Sequence, residues 1–375
     1  MPGMGWSLHH KTGLIHCSPQ QAYRGYTLFS SNRGGYHANL IDMEGRICHR
    51  WYSEEGISYP YLLPNGNLLL RTHPPQTEGE ERFGGASGAI LELDWDGKVV
   101  WSFRNSMLHH DFQRLPNGNT LVLLWEPIPD EFRDRVVGGY ETDGDPQEML
   151  GDLVQEITPD GSVVYEWKSW EHLSEEEDVI CFLERRRERT HQNALNVTSD
   201  GDLLVSFRQT STVGIVEKSS GEFKWKWGPG EVNHQHHPTY LDNGRVLLFD
   251  NGCHRRGASR SRIVEVDPAT NQIAWEYQGT PDISFYSYNI SSAERQPNGN
   301  TLICEGAPGR IFEVTPEKAI VWEYINPYFV DAPSRGPANS VNGVFRAHRY
   351  GPDHPGLQGK ELDPARYGTV NQLYT

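Results

Sequence analysis

Short apolar runs that are joined by tight polar turns recur along the chain. The turns have the form Pro-Asn-Gly-Asn or a close relative, and they lie at 64–67, 116–119, 199–202, 242–245 and 297–300. Asn-Gly or Asp-Gly between apolar runs indicates a β-hairpin, because a type I′ turn needs positive φ at both central residues. The pattern predicts five hairpins with two-residue turns.

A second element alternates between apolar and polar positions and ends in aromatic residues two positions apart. Such a period is typical of strands. The copies run from Gly45 to Trp51, Gly97 to Trp101 and Phe103, Gly161 to Tyr165 and Trp167, Gly221 to Trp225 and Trp227, Asn271 to Trp275 and Tyr277, and Lys318 to Trp322 and Tyr324. Spaced roughly fifty to sixty-five residues apart, these elements match four-stranded blades. We predict an all-β fold, a six-bladed β-propeller that forms a single domain over 1–375.

Five hairpins leave one blade without its inner strand. Segment 343–350 has the character of a strand, and we expect it to pair with strands near 26–30 and 37–42 and so to close the ring between the two termini. Two insertions interrupt the repeat, at about 126–151 and 168–189. The charge-rich second insertion is predicted to be helical and solvent-exposed.

The hairpins predict which residues meet at one mouth of the central channel. In a two-residue hairpin, the residue eight before the turn glycine faces the residue seven after it. The predicted pairs are Ser58 with His73, His110 with Trp125, Asn193 with Arg208, His236 with Asn251 and Ser291 with Gly306. Near this ring we also place His191, His234, His237, His254, His348 and Arg349.

A histidine in a strand is more often structural than functional, satisfied by a local hydrogen bond. Here, however, polar residues recur at equivalent positions of several blades, where a structural ring would use Val, Ile or Ala. The aromatic residues near the strand starts, Tyr59, Tyr61, Trp125, Phe285, Tyr286 and Tyr288, either pack between blades or stack on a substrate ring. We interpret the histidine-rich ring as the functional site.

Composition narrows the class of partner. Acidic residues outnumber basic ones by 50 to 34, for a net charge of −16, which disfavours nucleic acid and anionic membranes. The five cysteines are widely spaced and are expected to be reduced thiols. Neither a signal-peptide core nor the roughly 20 apolar residues of a membrane span is present. We expect a cytoplasmic protein that acts on a small aromatic or sugar-like anion, and the oligomeric state stays open.

Several motifs around the predicted ring resemble those of the arylsulfotransferase-like propellers, over most of the chain. They are His110-Asp111 before Leu-Pro-Asn-Gly-Asn, Thr190-His191-Gln192-Asn193, Arg208, Gln235-His236, Phe249-Asp250-Asn251-Gly252, and Phe345 to Tyr350. The resemblance implies PAPS-independent transfer of a sulfuryl group from an aryl sulfate to a phenol through a sulfated histidine. It implies that His236 is the nucleophile, that His191 and Arg208 hold the sulfate, and that His110 shuttles a proton.

Further residues of the predicted mouth are candidates for substrate binding: His73, Asn193, His234, His237, His348, Arg349, Tyr59 and Tyr286. Neither a glycine-rich phosphate loop nor a Gly-x-Ser-x-Gly elbow is present, so no nucleotide cofactor is expected.

Three alternatives stay open. One is a lyase or hydrolase that uses the same histidines as acid and base on a carbohydrate or aromatic substrate. Another is a divalent-metal site in which His234 and His236 are joined by His110 or His191. The third is a propeller that serves as a non-catalytic scaffold.

Overall fold

The computed structural model describes residues 11–32, 34–75, 83–143, 145–331 and 340–374, and β-strands dominate it. The strands are β1 (Gly13–Cys17), β2 (Tyr26–Ser30), β3 (His37–Ile41), β4 (Ile47–Tyr52), β5 (Tyr59–Leu62), β6 (Leu68–Arg71), β7 (Ala89–Leu93), β8 (Val99–Arg104), β9 (Leu108–Arg114), β10 (Thr120–Pro127), β11 (Gly138–Tyr140), β12 (Leu150–Ile157), β13 (Val163–Lys168), β14 (Ile180–Arg185), β15 (Gln192–Val197), β16 (Leu203–Phe207), β17 (Thr212–Val216), β18 (Phe223–Trp227), β19 (His236–Tyr240), β20 (Val246–Asp250), β21 (Arg262–Asp267), β22 (Gln272–Gln278), β23 (Ser292–Arg295), β24 (Thr301–Glu305), β25 (Arg310–Val314), β26 (Ile320–Ile325), β27 (Val330–Asp331), β28 (Ser340–Val341) and β29 (His348–Tyr350). The short helices are α1 (Asp130–Arg133), α2 (Ser169–His172) and α3 (Gly368–Tyr374), with 3₁₀ turns at Asp282–Ser284, Pro355–Leu357 and Pro364–Tyr367.

The chain divides into two compact units. Unit 1 comprises residues 1–77, 88–104 and 287–375, and unit 2 comprises residues 78–87 and 105–286. In the part of the chain that the structure describes, no helix is long and apolar enough to cross a membrane.

Each unit contains three antiparallel sheets that serve as blades. The blades of unit 1 have the strand orders β29-β2-β3-β4, β5-β6-β7-β8 and β1-β26-β25-β24-β23. Those of unit 2 have the orders β13-β12-β10-β9, β15-β16-β17-β18 and β19-β20-β21-β22. This is the six-bladed β-propeller that the repeat predicts. The single domain over 1–375 stays a prediction.

The two chain termini meet within unit 1. His348 pairs with Leu28 and Tyr350 pairs with Tyr26, so β29 completes the first blade, as predicted. β1 adds a fifth strand to the last blade by pairing with β26, a pairing that the repeat does not predict.

Apolar side chains pack between neighbouring sheets of the same unit. In unit 1, Leu40, Leu70 and Leu91 are buried in one such cluster, and in unit 2 Leu123 and Val205 are buried in another. The repeated aromatics join blades, because their indoles donate hydrogen bonds to the outer turn of the next blade. The donations run from Trp51 to Asp94 O, from Trp167 to Gly221 O, from Trp225 to Asn271 Oδ1 and from Trp322 to Met43 O.

The hairpin turns are longer by one residue than predicted. In the turn at 64–67, Leu63 N donates to Asn67 O at 2.8 Å, and only Gly66 of the loop has positive φ, at 86°. This is a three-residue loop that ends on a left-handed glycine, not a type I′ turn. Pro64 favours it, because proline has no N–H for the ladder hydrogen bond that a two-residue loop would require at that position.

The longer loop shifts each predicted strand pair by one residue next to the turn. In the three blades of unit 2 a ladder irregularity adds a further shift, so that His236 pairs with Phe249 and not with Asn251. Tyr59 pairs with Arg71, and Ser292 pairs with Cys304. The prediction that Ser58 directly opposes His73, and its four counterparts, is therefore wrong in register. Some of the predicted contacts nevertheless form through side chains, as between Ser58 Oγ and His73 Nδ1 at 2.8 Å.

The two insertions pair with each other inside unit 2. β11 of the first insertion runs parallel to β14 of the second, and Ile128, Val136, Met149 and Ile180 form a small core beneath them. The prediction of a helical second insertion is wrong, because α2 spans only four residues. Strand pairing and this local core override the helical propensity of its Glu and Arg run.

Candidate active site

The four predicted catalytic residues all belong to unit 2. His110 lies in β9, His191 immediately precedes β15, Arg208 immediately follows β16, and His236 begins β19. Ladder irregularities occur beside three of these positions. β-Bulges of this kind redirect side chains and are over-represented next to active sites.

Backbone strain is concentrated in the histidines of unit 2. Among the described residues, ten other than glycine have positive φ, and five of these are histidines. They are His110 (42°), His191 (52°), His234 (55°), His237 (51°) and His254 (61°). Side chains disfavour this region of φ, so the surrounding structure must hold it, and such strain clusters at functional sites.

His236 is buried, and its tautomer follows from its partners. Nδ1 lies 2.7 Å from Asn251 Oδ1 and 3.1 Å from the carbonyl oxygen of His234. Both partners accept hydrogen bonds, so Nδ1 carries the proton and the lone pair is on Nε2. Asn251 is fully buried, and its own carbonyl accepts a hydrogen bond from Ser261 Oγ at 2.8 Å.

His110 is the end of a buried chain of titratable groups. Its Nδ1 lies 3.0 Å from Nδ1 of His109, and Nε2 of His109 lies 3.4 Å from Asp152 Oδ1. Burial raises the pKa of Asp152 to about 7. Hydrogen bonds that the same carboxyl group accepts from Thr190 Oγ1 and from the amide of Gln192 lower the pKa, but burial has the larger effect. Asp152 can therefore exchange a proton near neutral pH.

The ring of His191 lies beside that of His110, with centroids 4.4 Å apart. Nδ1 of His191 is 2.9 Å from Glu188 Oε2, and the indole of Trp125 donates to the other oxygen of Glu188 at 3.0 Å. The carboxylate of Glu188 thus fixes the proton of His191 on Nδ1.

Arg208 is already ion-paired. Its Nη1 donates to Glu184 Oε1 at 2.7 Å, and the same oxygen lies 3.7 Å from Nδ1 of both His234 and His254. The pKa of His234 is lowered to about 2, mainly by burial and secondly by the positive charge of Arg208. The imidazole of His234 is therefore neutral at pH 7.

Besides His234, three of the eight predicted binding residues belong to unit 2. Asn193 is fully buried and donates to the carbonyl oxygen of Gln235 at 2.7 Å, while His237 is buried next to His236. Tyr286 is half-buried and forms a side-chain hydrogen bond with Cys253.

The other four predicted binding residues belong to unit 1. Tyr59 Oη lies 3.0 Å from Nε2 of His348. His73 contacts the carbonyl oxygen of Gly35 at 2.9 Å, and Arg349 is ion-paired with Glu313 in the interior. A single ring that joins these residues to those of unit 2 stays a prediction.

The family of the chain follows from a model of the arylsulfotransferase (ASST) family, which matches residues 60–327. The chain belongs to the arylsulfotransferase family. The match spans more than half of the chain and includes His110, His191, Arg208 and His236. The resemblance stated from the sequence is confirmed, and the family is one of transferases.

Solved structures resemble this arylsulfotransferase-family chain in fold. A protein of unknown function from Bacteroides caccae is 14% identical with a TM-score of 0.53, over 87% of this chain and 100% of that one. A streptogramin B lyase is 13% identical with a TM-score of 0.48, over 93% and 95%. The virginiamycin B lyase of Staphylococcus aureus is 13% identical with a TM-score of 0.41, over 84% and 88%. At 14% identity the Bacteroides caccae structure shows the fold alone. The two lyases, with TM-scores below 0.5, carry no information on the chemistry of this chain. No curated protein sequence matches significantly.

Sequence reasoning did not find Glu184, Glu188 or Asp152 as partners of the site histidines. Glu184 and Glu188 belong to the insertion, whose charges suggest a solvated surface, and no repeat places them. Asp152 belongs to no recognisable sequence motif. In the ladder of β10 and β12 it pairs with Trp125, and this pairing brings it to the strand end where His109 lies.

A metal-ligand group in the described residues differs from the predicted one. Cys181, His234 and His254 are close enough to share an ion. His236, which the metal hypothesis paired with His234, is not part of this group.

Proposed function

We propose that this protein transfers a sulfuryl group from an aryl sulfate to a phenolic acceptor without PAPS, with His236 as the nucleophile. The observation that carries the proposal is the contact of His236 Nδ1 with Asn251 Oδ1 and the carbonyl of His234. With the proton on Nδ1, the lone pair is on Nε2, as attack on sulfur by Nε2 requires. Family membership supports the reaction class.

In the first half-reaction, Nε2 of His236 attacks sulfur as the bond between sulfur and the aryl oxygen breaks. The aryl oxygen leaves with the electron pair and takes a proton from Nε2 of His110, and a sulfated His236 results. In the second half-reaction, His110 removes the proton of the acceptor phenol, whose oxygen attacks sulfur. The bond between sulfur and Nε2 then breaks, and its electron pair returns to His236.

The chain from Asp152 to His110 gives His110 both of these roles. Nε2 of His109 and Oδ1 of Asp152 lie 3.4 Å apart but are not hydrogen-bonded to each other, so the relay requires a small approach of the two groups. A protonated Asp152 then donates to Nε2 of His109, Nδ1 of His109 donates to Nδ1 of His110, and Nε2 of His110 carries a proton. With Asp152 ionised, the two contacts reverse and Nε2 of His110 bears a lone pair. A carboxyl group with a pKa of about 7 makes both states accessible.

Arg208 and His191 supply donors for the sulfuryl oxygens. A planar guanidinium suits a group that spreads charge over three oxygens. Because Nη1 of Arg208 already donates to Glu184, a bound sulfate competes with that carboxylate for the guanidinium, and substrate affinity is reduced.

The proposal is tested by incubating the protein with 4-nitrophenyl sulfate and phenol while nitrophenolate and phenyl sulfate are measured. We expect equal amounts of both products from the wild type, and neither from a folded His236→Ala variant. His16→Ala, which alters an exposed histidine of β1, is the matched control and should keep full activity. Unchanged transfer by His236→Ala would contradict the proposal.

A second candidate is acid–base catalysis by a lyase or hydrolase on a carbohydrate or aromatic substrate. It is favoured by the carboxylates of Glu184 and Glu188, which neutralise the charge that a sulfate site needs at Arg208 and His191. In that case the folded protein would release no nitrophenolate from 4-nitrophenyl sulfate.

A further inference from the structure

We propose that Cys181, His234 and His254 form a binding site for a transition-metal ion of the Zn²⁺ class. The three residues come from separate segments of unit 2: Cys181 from β14 of the second insertion, His234 from the turn before β19, and His254 from the loop after β20. This inference goes beyond sulfuryl transfer and does not depend on it.

The distances between ligand atoms fit tetrahedral coordination. Nδ1 of His254 lies 3.1 Å from Nε2 of His234 and 3.5 Å from Sγ of Cys181. Metal bonds of about 2.0–2.1 Å to nitrogen and about 2.3 Å to sulfur place neighbouring tetrahedral ligands about 3.3 Å apart for two nitrogens and about 3.6 Å apart for nitrogen and sulfur. All three ligand atoms lie within 4.8 Å of one another.

A carboxylate lies beside the proposed site. Glu184 Oε1 is 3.7 Å from Nδ1 of both His234 and His254, beyond hydrogen-bond distance but close enough to place a negative charge near the ion. His234 and His254 both adopt positive φ, which indicates that the fold holds their rings in this arrangement.

The donor set selects the kind of ion. One thiolate and two imidazoles favour Zn²⁺ or a similar borderline-soft ion over Mg²⁺ or Ca²⁺. On binding, the bond between sulfur and hydrogen of Cys181 is replaced by a bond between sulfur and the metal, and the proton passes to solvent. The side chain of His254 is 27% exposed, which gives the ion a path from solvent and leaves room for a fourth ligand such as water.

The site is tested with Co²⁺ as the probe on the full-length untagged protein, after treatment with a chelator. We expect a near-ultraviolet charge-transfer band from thiolate to cobalt, together with the strong visible bands of four-coordinate Co²⁺. Cys181→Ser should lose the charge-transfer band. His254→Ala should weaken Co²⁺ binding by more than about tenfold, because changes to outer-shell partners alone cost about tenfold or more and His254 is a direct ligand.

Cys17→Ser is the matched control, because Cys17 is a half-buried cysteine of unit 1, and this variant should keep the band. Circular dichroism establishes that each variant is folded. Absence of the band in the folded wild type, or its persistence in Cys181→Ser, would overturn the proposal.

Discussion

His236 and Asn251 are joined by a contact of 2.7 Å between Nδ1 and Oδ1, in the interior of unit 2. Asn251 follows β20 and His236 begins β19, so neighbouring strands of one blade position the imidazole. The contact orients the ring and favours the tautomer with the lone pair on Nε2, so under the proposed function Asn251 is a positioning residue for His236.

Removing this contact should slow transfer while the protein stays folded. Asn251→Ala removes the shorter of the two contacts of His236 Nδ1 and leaves the carbonyl oxygen of His234 at 3.1 Å, so the ring is held less firmly. We expect kcat with 4-nitrophenyl sulfate to fall on the order of 100-fold, as for small misplacements of a reacting group. Asn251→Asp, which keeps an acceptor at the same place, should retain more activity than Asn251→Ala. Equal kcat values for wild type and Asn251→Ala would contradict the positioning role.

The ion pair between Glu184 and Arg208 should weaken substrate binding. Glu184→Gln removes the competing charge, so KM for 4-nitrophenyl sulfate should fall by about tenfold or more, since a hydrogen bond to a charged group is worth about 1.5–3 kcal/mol. Glu175→Gln is the matched control from the same insertion, because Glu175 pairs with the exposed Arg135. Steady-state kinetics measure both variants, and a KM for Glu184→Gln at or above the wild-type value would refute the competition.

Substitution by alanine should affect the site at Gly85 but not at Gly84. A Cβ at Gly85 would lie 2.1 Å from Cε1 of His110, and φ there is +85°, whereas a Cβ at Gly84 would meet His191 Cε1 at an ordinary 3.5 Å. Gly85→Ala should therefore displace His110 and lower kcat by at least about tenfold. Gly84→Ala should change kcat less than twofold. The same kcat for both variants would show that the close approach of Gly85 to His110 is unimportant.

Asp152 should make folding stability depend on pH. Its pKa is raised from 3.8 to about 7, so the folded protein keeps a proton that the unfolded chain has released in this range. The stabilisation is complete below pH 3.8 and is lost as pH rises to about 7. Asp152→Asn, an analogue of the protonated form, should flatten this part of the profile of unfolding free energy against pH. Chemical denaturation from pH 4 to pH 8 measures it, and parallel profiles for both proteins would rule out the shift.

The repeat allowed the blades and the closing strand to be predicted, because turn residues and paired aromatics obey local rules. The turn type was wrong, since Asn-Gly suits both loop lengths. Pro64 disfavours the two-residue loop, because it cannot donate the ladder hydrogen bond, but the turns at 199–202 and 242–245 form the same three-residue loop without a proline. His236 and Arg208 lie at strand ends that the repeat predicts. Glu184 and Glu188 lie in an insertion, where only tertiary packing brings a carboxylate to a histidine.

The central claim is that His236 carries the sulfuryl group, and the mass of the intact protein after brief mixing with 4-nitrophenyl sulfate tests it most directly. We predict that the wild type gains one SO₃ as nitrophenolate is released, that phenol removes this adduct, and that His236→Ala never forms it. Nitrophenolate release without an adduct, or an adduct that persists in His236→Ala, would contradict the account.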